Sequence, residues 1–330
     1  MRHVHLIFGI ALLLLGANAS VRAAEATPLV LEAKIPLGPV HGRIDHLAFD
    51  TTRQYVYVAE LGNDSVGVVD LKLNKVVQTL TGLHQPQGIG YVKSTDTLYV
   101  ANAADGSVRL FRGADLAPLG GVALGKDADN VRVDDAAHRV YVGYGSGALA
   151  VIDATTRTKV ADIPIKEHPE SFQLERDGRH IFINVPDAHE IAVVDRAAMR
   201  VVANWSTDAL RENYPLALDA THHVFAVFRH PARVGVFGAE DGHLVTSFET
   251  CEDSDDVYFD SRRRRLYVSC GEGFVDVFAE EGAGYRRIGH VASSSGARTS
   301  LFVPELDRLV LAVRATFTAP ASVWIFRPES

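Results

Sequence analysis

Carboxylates and imidazoles recur in this sequence at one kind of place, immediately ahead of short apolar segments that return along the chain. In order, these positions hold Asp45-His46, Gln87-Gly88, Asp129-Asn130, Glu170-Ser171, Tyr214-Pro215, Asp255-Asp256 and Thr299-Ser300. Oxygen-rich sets of this kind suit hard divalent cations, and mixed imidazole–carboxylate sets suit transition metals. Asp129, Glu170 and the nearby His168 are therefore the candidate ligands of a divalent metal ion, or the acid–base groups of a metal-assisted reaction. Asp45, His46, Asn130, Tyr214, Asp255 and Asp256 stand beside them as candidate ligand-binding groups. Arg298 either pairs with the acidic run Cys251–Asp256 or holds an anionic ligand. The plainer alternative is that polar residues at strand entries satisfy free backbone groups and face water.

Such a site needs seven separate stretches to meet, and the chain supplies a reason for them to do so. One unit reads IDHLAF (44–49), YVYVA (55–59), SVGVVD (65–70) and KVV (75–77). It returns as LYVANAADGSVRLF (98–111), VYVGYGSGALAVID (140–153), IFINVPDAHEIAVVD (181–195), VFAVFRHPARVGVF (224–237), LYVSCGEGFVDVF (266–278) and LVLAVRATFTAPASVWIF (309–326). Equivalent apolar positions are Phe49, Tyr91, Val133, Leu174, Leu218, Phe259 and Val303, spaced 42, 42, 41, 44, 41 and 44 residues apart. Segments rich in Val, Ile, Tyr and Phe alternate with Gly, Asn, Asp and Pro, as strands alternate with turns. Four short strands per repeat of this length is the signature of a propeller blade. The expected fold is thus all-β, a seven-bladed β-propeller with four-stranded blades, forming a single domain over residues 25–330. The seventh unit has three strands only. The segment PLVLEAKIPL (28–37) is expected to pair with residues 321–326 as its fourth, closing the ring and removing a sheet edge.

The segments VYVAELGNDSVGVVDLKLNKVV (56–77) and VYVGYGSGALAVIDATTRTKV (140–160) resemble the YVTN repeat. The resemblance extends over roughly residues 28–327 and is to the YncE-like family of exported bacterial propellers. It implies a seven-bladed fold and a periplasmic or cell-surface address. It implies little about chemistry, since proteins carrying the repeat include DNA-binding and surface-layer members.

The N-terminus fits export. Arg2, His3 and His5 precede an apolar run, Leu6–Leu15, and small residues follow, so residues 1–24 read as a signal peptide too short in its apolar part to span a bilayer. No later stretch is long and apolar enough for a transmembrane segment, and the expected mature protein is periplasmic or secreted. Without residues 1–24, which hold Arg2 and Arg22, the formal charge moves from −8 to −10. That disfavours nucleic acid as a partner. Cys251 and Cys270, the two cysteines of the chain, are expected on one face and are a disulfide candidate in an oxidising compartment. The run Arg262–Arg265 reads as a solvated hairpin turn. Gly143–Gly147 is no nucleophile elbow, because Tyr144 stands where that motif needs glycine and a strand follows. No haem-attachment CxxCH, phosphate loop or EF-hand is present.

The leading functional expectation is a binding scaffold that presents a polar, acid-rich mouth to a small-molecule or protein ligand. A metal-assisted lyase or hydrolase at the same mouth is the alternative, by analogy with seven-bladed lyases that use His, Glu and a divalent metal. Single-stranded DNA binding is the third. Closure of the ring removes the edge that drives strand-mediated association, so a monomer is expected.

Overall fold

The computed structural model describes residues 27–330 other than 177, 220–222 and 283. The signal peptide expected over residues 1–24 lies outside the described residues, as do residues 25–26 at the start of the expected domain. Seven antiparallel sheets of four strands follow one another along the chain. The first strands of the blades are Leu47–Asp50, Pro86–Val92, Ala128–Asp134, Phe172–Leu174, Arg211–Leu218, Ser254–Asp260 and Ser300–Val303. Each contacts the first strand of the next blade, and blade seven contacts blade one, so these strands surround a common axis. Every apolar position used to set the repeat falls in one of them.

Closure follows the expected route. Leu29–Pro36 pairs antiparallel with Ser322–Pro328, from Leu29 opposite Pro328 to Pro36 opposite Ser322. The fourth strand of blade seven thus comes from the opposite end of the chain. Leu29 and Ile35 are each 1% exposed, which anchors that strand by apolar burial as well as by its ladder.

Seven apolar clusters hold the ring, each made by the facing sheets of two neighbouring blades. Val56, Val58, Val310 and Ala312, for example, join blades one and seven. The Tyr-Val strands are buried on both faces, which is why they read as near-continuous apolar runs rather than as alternation. Outer strands such as Lys75–Leu80 are exposed along much of their length. The aspartates that end many strands start the turns after them: Asp70 accepts from the backbone N–H of Lys72 and Leu73, and Asp153 from Thr155 and Thr156. These are Asx turns, the reason the repeat carries Asp there.

On the face opposite the candidate site, arginines clamp blade to blade. Arg53 bonds Asp50 of its own blade at 2.6 Å and Asp96 of the next at 2.8 Å. Arg263 does the same with Asp260 at 3.0 Å and Asp307 at 2.6 Å, and its side chain is only 12% exposed. The Arg262–Arg265 run is therefore not simply a solvated turn. Arg262 fits that description, whereas Arg263 is a clamp whose partner lies one repeat downstream. Among the described residues, no helix is long and apolar enough to cross a membrane.

Candidate functional site

Irregularities in the first strands place the polar residues. Register with the second strand skips between Pro86 and Ile89, Ala128 and Val131, Asn213 and Leu216, and Ser254 and Asp256. The residues inside these bulges are Gln87-Gly88, Asp129-Asn130, Tyr214-Pro215 and Asp255. A bulge adds a residue without a ladder partner and re-aims its side chain. In blades one and four the same task falls to backbone bonds just ahead of the strand: Asp45 N–H donates to Ala59 at 2.8 Å and Glu170 N–H to Asn184 at 3.0 Å. Gly88 permits the tightest approach, since a Cβ there would lie 1.9 Å from the Asp129 carbonyl oxygen.

At this end of the axis lies a cavity of about 20 Å³ lined by Arg43, Asp45, His46, Asp129, Asn130, Glu170, Ser171, Tyr214 and Asp255. That volume holds about one water molecule, so no organic ligand enters it unless side chains move. Seven of the ten candidate residues line it directly. His168 stands just behind Asp129, its Nε2 3.9 Å from Asp129 Oδ2 and its Nδ1 2.5 Å from the Gly145 carbonyl. Arg298 lies toward blade six, donating to Asp253 at 2.6 Å. Asp256 does not line the cavity: its Oδ2 accepts from Ser300 N–H at 2.7 Å, which ties blade six to blade seven, while its charge acts on His46.

The electrostatics separate the acids. Burial, reinforced by Asp129, pushes the Glu170 carboxyl up to about 8. Burial likewise lifts Asp256 to about 7 and raises Asp45 against the pull of His46 and Arg43. Asp129 goes the other way: burial opposes its charge, but His168 and His46 hold its carboxyl low. Burial disfavours the His168 imidazolium, yet Asp129 and the Gly145 carbonyl lift it to about 9. An ionised Asp129 thus sits between two histidines with raised pKa values, His46 being 3.9 Å away. Several buried acceptors remain without a hydrogen bond, among them Asp45 Oδ2, Asp129 Oδ1 and Asn130 Oδ1.

Among the described residues no three His, Cys, Asp or Glu side chains are grouped to hold a metal ion. Within the trio Asp129, His168 and Glu170, His168 lies 3.9 Å from Asp129, and Asp129 acts electrostatically on Glu170. At the mouth, no described serine or cysteine hydrogen-bonds to a histidine. Ser171, the serine in the lining, accepts from Arg132 at 3.3 Å. Cys251 and Cys270 are joined, with an S–S distance of 2.05 Å and a Cα–Cα distance of 5.9 Å.

Arginines are the part of the site that sequence reasoning undervalued. Arg229 reaches Asp255 at 2.8 Å and Asp253 at 3.3 Å, and Arg298 reaches the same two carboxylates. Arg43 lies 2.8 Å from Asp45, and Arg132 interacts electrostatically with both His46 and Asp256. Arg229 and Arg298 compensate charge in the acidic turn Cys251–Asp256. Of these arginines, only Arg298 stood among the candidates read from the sequence.

No protein-family model matches the chain, and no curated protein matches it. A chain in a solved structure titled "Crystal Structure of Mitotic Checkpoint Complex" is similar in fold, with a TM-score of 0.76 at 13% identity, over 98% of this chain and 99% of that one. At that identity the likeness concerns the propeller alone.

Proposed function

We propose that this protein is an exported binding scaffold, YncE-like in its YVTN repeats, that engages a protein or peptide partner across the mouth of its central channel. The observation that carries this reading is the lining itself. Ionisable side chains from five blades converge there on a cavity too small for an organic ligand, with buried acceptors left free of hydrogen bonds. A partner lying across the mouth and inserting one polar group would satisfy them, whereas a buried small molecule would have no room. The rigid ring suits this use, since a pre-organised surface loses little entropy on binding. The similar chain noted above also comes from a complex, which accords with a docking role and does not identify a partner. The overall acidic balance disfavours single-stranded DNA.

The test is site-specific photo-crosslinking in the producing cell. A photoreactive residue in place of Tyr214, at the mouth, is expected to give a discrete adduct. The same residue in place of Thr156, in an exposed turn of the opposite face, is expected to give none. Adducts of equal yield from both positions, or none from the mouth, would count against the scaffold.

One observation favours acid–base catalysis as a second reading: Glu170 stays protonated near neutrality beside the cationic His168. In that case the captured partner would be recovered chemically altered from the wild-type protein and unaltered from Glu170→Gln.

A further inference from the structure

Three arginines stand where blades seven and one meet at the mouth, and Arg298 and Arg43 act electrostatically on Arg314. Arg43 precedes the first strand of blade one, Arg298 precedes that of blade seven, and Arg314 follows the second strand of blade seven, Arg308–Val313. We infer that Arg43, Arg298 and Arg314 form an anion site that receives a carboxylate or phosphate group of the ligand. This deepens the scaffold reading, on which it rests for its ligand, by assigning a chemical class to what the mouth receives.

The charges support it. Arg43 is paired with Asp45, while Arg229 and Arg298 share Asp253 and Asp255. Asp256 is engaged with Ser300 and Tyr258. The carboxylates that attract Arg314, Asp255 and Asp253, are thus already held by other arginines, and Arg314 has no hydrogen-bond or ion-pair partner among the described residues.

Burial and geometry agree. The Nε atoms of Arg43, Arg298 and Arg314 are all shielded from solvent and all lack an acceptor. Arg298 Nε lies 2.9 Å from Asp255 Oδ2, close enough for charge attraction but off the direction of a hydrogen bond. Burial disfavours charge on Arg314, Arg298 and Arg43 repel it further, and Asp255 and Asp253 offset only part of this. A guanidinium does not release its proton to escape this, so it gains most from an arriving anion. Its planar fork matches the oxygen pair of a carboxylate or phosphate.

The backbone holds the group in place. Arg314 packs against Gly296, where a Cβ would lie 3.6 Å from both Cδ and Nη1 of the arginine. Gly296 has φ +78°, a conformation that glycine adopts without strain. Three residues beyond Arg314, in the same loop, Phe317 is fully exposed, the most exposed of the large apolar side chains described. A ligand with an apolar group beside its acid group gains a second contact there.

Thermal melting of the purified protein, with anions compared at matched ionic strength against chloride, tests the site. Inorganic phosphate and succinate are the probes, and their separate titrations decide between phosphate and carboxylate. At least one is expected to raise the melting temperature saturably. Arg314→Gln should melt no lower than wild type without the probe, because it removes an unpaired, partly buried charge. With the probe, its apparent affinity should fall at least about tenfold, or about 1.4 kcal/mol. Arg200→Gln, on an exposed outer strand, should respond as wild type does. The inference is overturned if neither anion exceeds chloride, or if Arg314→Gln responds undiminished. It is overturned too if Arg314→Gln is strongly destabilised without probe, since Arg314 would then have a structural partner. Crosslinking from position 214 without any anion response would sink this inference alone; an anion response without crosslinking would sink only the protein-partner reading.

Discussion

The guanidinium of Arg229 lies over the ring of Tyr214, 4.1 Å from its centroid, while its Nη2 donates to Asp255 at 2.8 Å. Tyr214 and Asp255 both line the cavity and belong to neighbouring blades, so one arginine fixes two of the mouth's walls. The arrangement is made by bulges in two first strands and by a side chain from a second strand. Arg229→Ala would leave Asp253 and Asp255 with Arg298 as their remaining cation. Removing one member of a partly buried charge pair costs about 2–3 kcal/mol, and urea unfolding should register a loss of that order. A loss under about 0.5 kcal/mol would mean that the pairing is no stronger than a surface contact.

The pH response of stability has a definite sign. Glu170 has a folded-state pKa of about 8 against an ordinary 4.5, and Asp256 about 7 against 3.8. Between those values the native state keeps protons that the unfolded chain has released, so stability falls as pH rises. His168, at about 9 against 6.5, adds the same sign: its contribution is complete below 6.5 and is lost as pH rises through 9. Asp129, held low, acts oppositely, and its contribution is lost only as pH falls below the ordinary carboxylate range. The melting temperature should therefore fall from about pH 6 to pH 9. Glu170→Gln, neutral and similar in shape, should flatten that fall. An unchanged profile in this variant would show that Glu170 is ionised throughout.

The two neighbouring arginines of the opposite face should behave differently. Arg263 is bound to Asp260, Asp307 and the Pro328 carbonyl. Arg262 is 76% exposed. Arg263→Ala is expected to cost about 2–4 kcal/mol in chemical unfolding and Arg262→Ala less than about 0.5 kcal/mol. Equal effects would show that the blade-to-blade clamp contributes nothing beyond a surface ion pair.

Gly88 couples packing to the site. Alanine there would collide with the Asp129 carbonyl, so the first strands of blades two and three would have to separate. Gly88→Ala should cost about 1–3 kcal/mol, and the displaced Asp129 should let the His168 pKa fall toward its ordinary value, as read by NMR titration. A destabilised variant with an unmoved histidine would show that the strain is absorbed elsewhere.

The repeats were legible because each blade solves the same problem with the same residues: Tyr-Val strands buried on both faces, then an aspartate that begins a turn. Phe49 and Val303 stand in equivalent strands for that reason. The closing strand was legible because the seventh unit lacks a partner that residues 28–37 could supply. The mouth was only half legible. Asp45, Asp129, Glu170 and Asp255 stand at repeat positions and so were visible as a column. Arg43 and Arg132 were not, because neither stands in that column: Arg43 reaches Asp45 from ahead of the first strand, and Arg132 reaches Ser171 of the next blade from within its own strand. Asp256 shows the reverse failure, since its place beside Asp255 says nothing about the bulge that turns it toward Ser300. The difference between Arg262 and Arg263 has the same origin: the residue that selects Arg263 is Asp307, in another blade.

The mouth is the proposed place where the protein meets its partner. Photo-crosslinking from position 214 in the producing cell, set beside position 156 on the opposite face, measures that directly. A discrete adduct is expected from position 214, none from position 156, and loss of the first on Arg229→Ala at a temperature where that variant remains folded. Adducts from position 156 with none from position 214 would contradict it and move the working surface to the other side of the ring.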